Sequence, residues 1–333
     1  MSQSQGSGTQ VAVGVALVAA LLVATALGAG AQWAPKGNVS WMAGAGPGSG
    51  WDTTARAALQ AMTVHKVAGH AITVVNKPGG SGAIAVAEMV NQHKGNDDVI
   101  LVTSLPLITN RIMGTSPYGY KDLTPIVRLA ATYYMVAVPA NSDIKDFKDL
   151  IARLRKDPKS VSIGGSTPPA DDWAAAMAVF GGAGLDVTKL KFIGYDGGQV
   201  AGAVLGGHVQ AAVNTVGEFA QHVEAGQMKP LATTGPEREP KFQSVPTVRE
   251  SGVDVVFMNW RGFVGPPGMP KAAVAYWQQK FGAMVQTQTW KDLRARYSWA
   301  DAFMADGFGK FLAENHALMS DILKNAGAFK KKK

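Results

Sequence analysis

Between Val39 and Met62 the chain passes through a short apolar run (Val39–Ala43), a glycine-rich loop (Gly44-Ala45-Gly46-Pro47-Gly48-Ser49-Gly50) and then Trp51-Asp52-Thr53-Thr54. Beyond these, from Ala55 to Met62, the apolar residues return at helical spacing. Strand, loop and helix start therefore follow one another directly. Such a junction aims free backbone N–H groups at one point, and the helix dipole adds partial positive charge there. The ligand that suits it is anionic and small enough for backbone amides to enclose. The alternative is a loop that only turns the chain.

The same alternation continues downstream. Apolar β-type runs lie at Ile72–Asn76, Val99–Thr103, Val127–Val138, Val161–Gly164, Lys191–Ile193, Ala211–Asn214, Leu231–Thr233 and Val255–Val264. Helical patterns separate them, such as Asp146–Arg155 with Phe147, Leu150, Ile151 and Leu154 on one stripe. The last third is mostly helical: Lys271–Val285, Thr289–Arg296 and Phe308–Lys324. Alternation of this kind predicts an α/β fold with mixed or parallel sheets flanked by helices and two crossover strands. Two extended segments, Arg128–Pro139 and Asp254–Pro266, exceed an average strand and bracket a compact αβ block. A two-lobed protein crosses between its lobes in this way, with residues 32–133 plus 260–329 in one lobe and 134–259 in the other. One nine-strand sheet is the alternative.

Length and composition leave room for this. The chain has 333 residues, 47% of them apolar and 17% charged, enough for a real core. Of the net charge of +8, Lys330 to Lys333 supply 4, and the remainder is too small and too spread to argue for nucleic acid. That lysine tail, residues 330–333, reads as a solvated end or a processing remnant. Cysteine is absent, which excludes disulfides, thiolate metal sites, a cysteine nucleophile and lipid attachment through an N-terminal cysteine. Val11 to Leu27 is an apolar run followed by Ala29-Gly30-Ala31, a small-x-small cleavage pattern. Residues 1–31 thus read as a secretory signal, although Met1 to Gln10 carries no Lys or Arg. A short uncleaved anchor is the alternative, since about 17 residues is the lower limit for spanning.

A second helix start repeats the logic of the first. Val161–Gly164 reads as a strand, Gly165-Ser166-Thr167-Pro168-Pro169 as a turn, and Ala170-Asp171-Asp172-Trp173 opens a helix. Ser166 and Thr167 are placed to cap that helix or to donate to a ligand. One helix dipole supplies only about 0.3–1 kcal/mol, whereas micromolar binding needs about 8 kcal/mol. Several charge-assisted hydrogen bonds at about 1.5–3 kcal/mol each are required. Two such loops, one from each lobe, can supply them. Ser104 lies just beyond strand Val99–Thr103, outside the carboxyl end where open α/β sheets bind ligands. Tyr195 and Gly197 follow strand Lys191–Ile193, and Thr215 follows Ala211–Asn214, which makes them further candidates. The cluster Pro78-Gly79-Gly80-Ser81-Gly82 reads as close packing and helix capping.

Enzyme signatures fail. There is no Gly-x-x-x-x-Gly-Lys-Ser/Thr, and Gly79-Gly80-Ser81-Gly82-Ala83 lacks the last glycine of a nucleophile elbow. The six histidines, at 65, 70, 93, 208, 222 and 316, show no paired metal-ligand spacing and read as surface residues. Asp171 and Asp172 are adjacent on a helix, so they point apart rather than forming a catalytic pair. Asp52 and Arg56 read as an N-cap and an (i, i+4) pair. The first loop is only loosely a dinucleotide fingerprint, because Pro47 and a misplaced third glycine interrupt it. Binding without chemistry, cofactor or metal is the expectation. The rival from another class is a cytoplasmic nucleotide- or cofactor-dependent enzyme using the first glycine loop.

Taken together, the motifs resemble the substrate-binding proteins of tripartite tricarboxylate transporters, the Bug family. The likeness rests on residues 46–56, on Asn76-Lys77-Pro78-Gly79-Gly80-Ser81-Gly82 and on Gly164-Gly165-Ser166. It continues through Leu205-Gly206-Gly207-His208-Val209, Val245-Pro246-Thr247 and Asn259-Trp260-Arg261-Gly262. The segment Trp299-Ala300-Asp301-Ala302-Phe303 with Phe308–Leu312 resembles the citrate-receptor branch. The resemblance implies a periplasmic, monomeric, two-lobed receptor (a type II binding-protein fold) that closes on a di- or tricarboxylate. It would then dock on a permease of one large and one small membrane subunit. It also implies that Gly46, Gly48, Ser49, Trp51 and Asp52 hold one carboxylate, facing Gly165, Ser166, Thr167 and Asp171 across the cleft. No lysine or arginine is required in that picture. Where relatives often carry a glycine-threonine-aspartate-histidine run, this chain has Pro168-Pro169-Ala170-Asp171-Asp172-Trp173, so a different, aromatic or less charged acid is an alternative ligand. The same fold presenting its ligand state to a membrane signalling partner is a further possibility.

Overall fold

The computed structural model describes residues 33–167, 170–195 and 199–326. The leader, the lysine tail and Gly197 lie outside the described residues. Ten strands form one curled, mixed sheet. In chain order they are β1 (Val39–Ala43), β2 (Ile72–Asn76), β3 (Val99–Ser104), β4 (Thr124–Pro139), β5 (Ser162–Ser166), β6 (Lys191–Tyr195), β7 (Ala211–Thr215), β8 (Met228–Thr233), β9 (Met258–Gly265) and β10 (Ala300–Met304). The helices that bear on the site are α1 (Gly50–Val64), α2 (Ala83–Gln92), α3 (Pro106–Ile112), α4 (Phe147–Lys156), α5 (Asp171–Gly182), α6 (Gln199–Leu205) and α7 (Val216–Glu224). The C-terminal helices are α8 (Lys271–Val285), α9 (Gln288–Arg296) and α10 (Phe308–Asn325).

Pairing is parallel where a helix connects neighbouring strands, β1 with β2 and β3, and β5 with β6 and β7. It is antiparallel wherever β4 or β9 takes part. The sheet is thus mixed, as expected of a two-lobed fold with two crossover strands. The reason is topological: a chain that crosses out of one sheet and returns must run one way in β4 and the other way in β9.

β4 is the axis of the molecule. At 16 residues it is long enough to serve two sheets. From Thr124 to Tyr133 it pairs with β9, and from Tyr134 onward it pairs with β7 and β8. The return path runs through Phe257, whose amide donates to the carbonyl of Thr234 (3.1 Å) before β9 begins. β9 therefore starts at Met258, four residues later than the extended run read from the sequence. β10, which the sequence pattern does not reveal as a strand, adds to the edge of β4.

One apolar cluster lies on a single face and runs through both halves, from Leu101 and Val264 to Ile163 and Val213. It includes the α4 stripe of Phe147, Leu150, Ile151 and Leu154, with Asp146 as the cap accepting from the Asp149 amide at 2.8 Å. On the opposite face Trp41 packs against Phe263 (4.9 Å), Phe281 (5.5 Å) and Trp277 (5.9 Å), between the sheet and α8. Each such fully buried aromatic contributes about 1.5–3 kcal/mol by leaving water. These two layers hold the ends of β3 and β9, and with them the start of α1, in fixed positions. His70 belongs to this second layer: its ring packs on Tyr276 and Trp277, which corrects its reading as a surface residue.

Candidate functional site

The first loop is built as a cap. Ser49 is the N-cap of α1, its Oγ accepting from the amide of Asp52 at 3.3 Å. Asp52 reaches back to accept from the amide of Gly48 at 2.9 Å, which closes a reciprocal bond pair around the turn. Its other bonds come from Arg56 Nε (2.9 Å) and Asn76 Nδ2 (3.0 Å), and Asn76 also holds the carbonyl of Ala45. Burial pushes the Asp52 carboxyl up, but the hydrogen bonds from Arg56, Gly48 and Asn76 outweigh it and hold the group below the ordinary carboxylate range. Asp52 is thus a brace for the loop and not its cap. A Cβ built on Gly46 or Gly48 would meet nothing within 4 Å, so both face open space. Gly48 has φ +78°, where an L side chain is strained.

Trp51 and Ser104 are brought together and spend their polar atoms on each other: the indole N–H donates to Ser104 Oγ at 2.9 Å, in the buried interior. The indole lies flat against glycine backbone, 3.2 Å from a Cβ built on Gly44 and 2.7 Å from one on Gly82. The second glycine cluster thus makes room for Trp51 and starts α2, with Gly82 as the left-handed cap (φ +86°). Both candidate residues position α1 from below.

The second loop differs from expectation. Ala170, not Ser166 or Thr167, occupies the N-cap of α5, and it makes no side-chain cap. Ser166 Oγ instead accepts from the amide of Asp172 (3.1 Å), and the amide of Thr167 donates to the carbonyl of Tyr195 (3.0 Å). Gly165 is a packing residue, with Phe192 only 2.7 Å from its would-be Cβ. Trp173 points into the core and is 7% exposed, so it does not line the cleft. Thr215 caps α7, its Oγ accepting from the Glu218 amide at 3.4 Å, and stands opposite Tyr134 in the sheet.

Between the two helix starts lies a polar floor that sequence reasoning missed. Arg261 on β9 sits opposite Ser104 in the ladder. Its Nη2 is 2.9 Å from a Cβ built on Gly50, the first residue of α1, so the guanidinium lies against that helix end. Its Nε is buried without a hydrogen-bond partner. Two residues away on the same strand face, Asn259 donates from Nδ2 to Asp171. The hydroxyl of Tyr134, fully buried, lies beside the Asn259 side chain, whose hydrogen bond opposes the rise in its pKa that burial causes. Burial raises the Asp171 carboxyl, and the nearby Arg261 charge opposes that rise. Burial, Asp171 and Glu218 together push Asp172 up to about 8. The signal for this floor was present in the Asn259-Trp260-Arg261-Gly262 run, but only the register with β3 and β4 turns Asn259 and Arg261 toward the helix ends.

A recess of about 500 Å³ opens on the other side of β4 among Tyr133, Glu239, Lys291, Arg294 and Trp299. It shares no lining residue with the loops above. Among the described residues no group of three or more His, Asp or Glu is placed to hold a metal. No described helix is long and apolar enough to cross a membrane.

Two half-sheets joined by β4 and β9, with the starts of α1 and α5 at the crossing, define the two-lobed fold of a periplasmic binding protein. The model of the tripartite tricarboxylate transporter family receptor matches residues 55–326, and the chain belongs to that family. A relative in Cupriavidus necator, a UPF0065 protein in the gbd 5′ region, is 27% identical over 272 residues, 80% of each chain. A TctC solute-binding protein from Polaromonas superposes with a TM-score of 0.78 at 26% identity, covering 87% of this chain and 99% of that one. Two Rhodopseudomonas palustris proteins share the fold, MatC with bound malate and Rpa4515 with adipate. Their TM-scores are 0.67 and 0.70, at 18% and 20% identity, over 87% and 88% of this chain and 99% and 98% of theirs.

Proposed function

We propose that the chain is an exported solute receptor that encloses a small carboxylate between two lobes and delivers it to a transporter of one large and one small membrane subunit. The observation that carries this is Arg261. A partly buried guanidinium with an unpartnered Nε lies against the first turn of α1, where free amides and the helix dipole already favour an anion. Gly46, Gly48 and Ser49 line the open side of that turn, while Trp51, Asp52 and Ser104 hold it rigid. Ser166, Thr167, Asp171, Tyr195, Gly197 and Thr215 belong to the opposing wall. The malate and adipate held by the R. palustris neighbours support a carboxylate ligand. The citrate-like di- or tricarboxylate expected from the resemblance is one member of that class.

The proposed lobe boundary falls between Tyr133 and Tyr134, and the exchange of β4 partners at that point supports it. Closure about β4 and β9 brings the α1 and α5 ends together over the acid, and the closed shape is what the membrane subunits read. Export follows from the leader, and receptors of this family are periplasmic.

A thermal-shift screen against a panel of organic acids tests the reading, because a ligand that binds only the folded state raises the melting temperature by mass action. Replacing Ser49 or Ser166 with a bulky side chain should abolish the shift while the fold survives. A protein that ignores every acid in the panel, or binds unchanged after those replacements, defeats the proposal. Deleting the neighbouring permease genes separates transport from sensing: loss of uptake indicates transport, loss of a transcriptional response indicates sensing.

A further inference from the structure

Away from the cleft, three basic side chains border a recess of about 240 Å³. Arg111 comes from the last turn of α3, Lys121 from the 3₁₀ turn Tyr120–Asp122, and His316 from α10. The recess shares no lining residue with the loops that begin α1 and α5.

The 3₁₀ turn is the platform that gathers these groups. Asp122 accepts from the Gly119 amide at 2.8 Å, which closes the turn. A Cβ built on Gly119 would lie 2.9 Å from both Cβ and Cγ of Arg111, so the arginine stem rests on that backbone. The His316 ring packs on Tyr120, with centroids 5.5 Å apart. Among the described residues none of the three basic groups is in an ion pair, and none has a hydrogen-bond partner for its side chain. Burial pushes the His316 pKa below its ordinary value, and the charges of Lys121 and Arg111 push it further. The ring is therefore mostly neutral at pH 7, and two permanent cations stand beside it without an anion between them.

An arginine fork with a lysine beside it matches the oxygens of a phosphate, and an imidazole adds a donor once protonated. We propose that this recess binds a phosphoryl group in its dianionic form, held by Arg111 and Lys121, with His316 as the third donor. Inorganic phosphate and the phosphomonoester headgroup of a lipid both present that group. A bound dianion reverses the field at His316, so binding takes up a proton there.

NMR of the histidine ring protons tests this on the full chain, with His316 assigned from the signal that His316→Gln removes. Millimolar inorganic phosphate should raise the His316 pKa by about one unit or more, compared with chloride at equal ionic strength. Arg111→Gln keeps the stem on Gly119, and Lys121→Gln lies on the surface, so both should melt with the parent. Each should raise the His316 pKa in the absence of phosphate and weaken the phosphate response at least about threefold. Phosphatidylcholine vesicles with and without phosphatidate separate the two sources. Sedimentation with phosphatidate vesicles that the double substitution abolishes assigns the site to a lipid headgroup. A response to free phosphate without sedimentation assigns it to inorganic phosphate. No pKa shift with phosphate and no sedimentation with phosphatidate overturns the proposal, and so does a response that survives both substitutions.

Discussion

A methyl group built on Gly50 would stand 2.9 Å from Nη2 of Arg261, so the first residue of α1 is small because a guanidinium occupies the space beside it. The backbone at Gly50 is ordinary helix, and glycine there answers to a close approach and not to an unusual dihedral angle. That contact joins the glycine loop of one sheet segment to the strand that returns from the other.

Gly50→Ala should therefore leave stability within about 1 kcal/mol, since alanine lowers the entropy of the unfolded chain and only the flexible tip of Arg261 has to move. Carboxylate affinity should fall at least tenfold. Paired thermal melts and calorimetric titrations check this. Unchanged affinity would separate Arg261 from the ligand.

Trp51→Phe removes the donor to Ser104 and leaves a buried hydroxyl oxygen unmatched. A loss of about 1–3 kcal/mol in urea unfolding is expected. Ser104→Ala should cost a similar amount through the stranded indole N–H. The double replacement should cost less than the sum, because the two atoms serve one bond.

Gly82→Ala should be worse than either. Its φ of +86° disfavours any Cβ, and that Cβ would lie 2.7 Å from the Trp51 ring. A loss of at least about 2 kcal/mol is expected from strain and overpacking together. A melting temperature equal to that of the parent would contradict the packing described.

The Asp172 carboxyl, pushed up to about 8 by burial, Asp171 and Glu218, makes stability depend on pH in the unusual direction. Its folded pKa lies above the unfolded value of 3.8, so the folded protein holds a proton that the unfolded chain releases between those values. Stability is greatest at the acid end of that window and declines as pH rises through about 8. Asp171, also raised by burial, adds in the same sense. Asp172→Asn should remove most of the decline and raise stability at pH 8 by on the order of 2 kcal/mol. Denaturant midpoints at pH 5, 7 and 8.5 for both proteins measure it.

Local pattern was enough to read much of the scaffold. Val39–Ala43 and Ile72–Asn76 are apolar runs closed by turn residues, and both are strands over those spans. The stripe on α4 and the span Lys271–Val285 follow from helical periodicity in the same way. β10 was not legible, because Ala300–Met304 is a strand only through the edge that β4 presents to it. The pairing of Trp51 with Ser104 was hidden for a related reason. Side chains that look available in a sequence are spent once a neighbour 53 positions away comes within hydrogen-bonding distance.

What the residues settled by themselves was the order of strands and helices, the glycine turns that start α1 and α2, and the family. These depend on interactions within a few positions along the chain, where propensity, periodicity and capping act. Tertiary structure alone decided that Arg261, Asn259, Tyr134 and Asp171 meet at the crossing of β4 and β9. Their proximity is a consequence of antiparallel register between distant segments, and one residue of slip would turn each of those side chains to the opposite face.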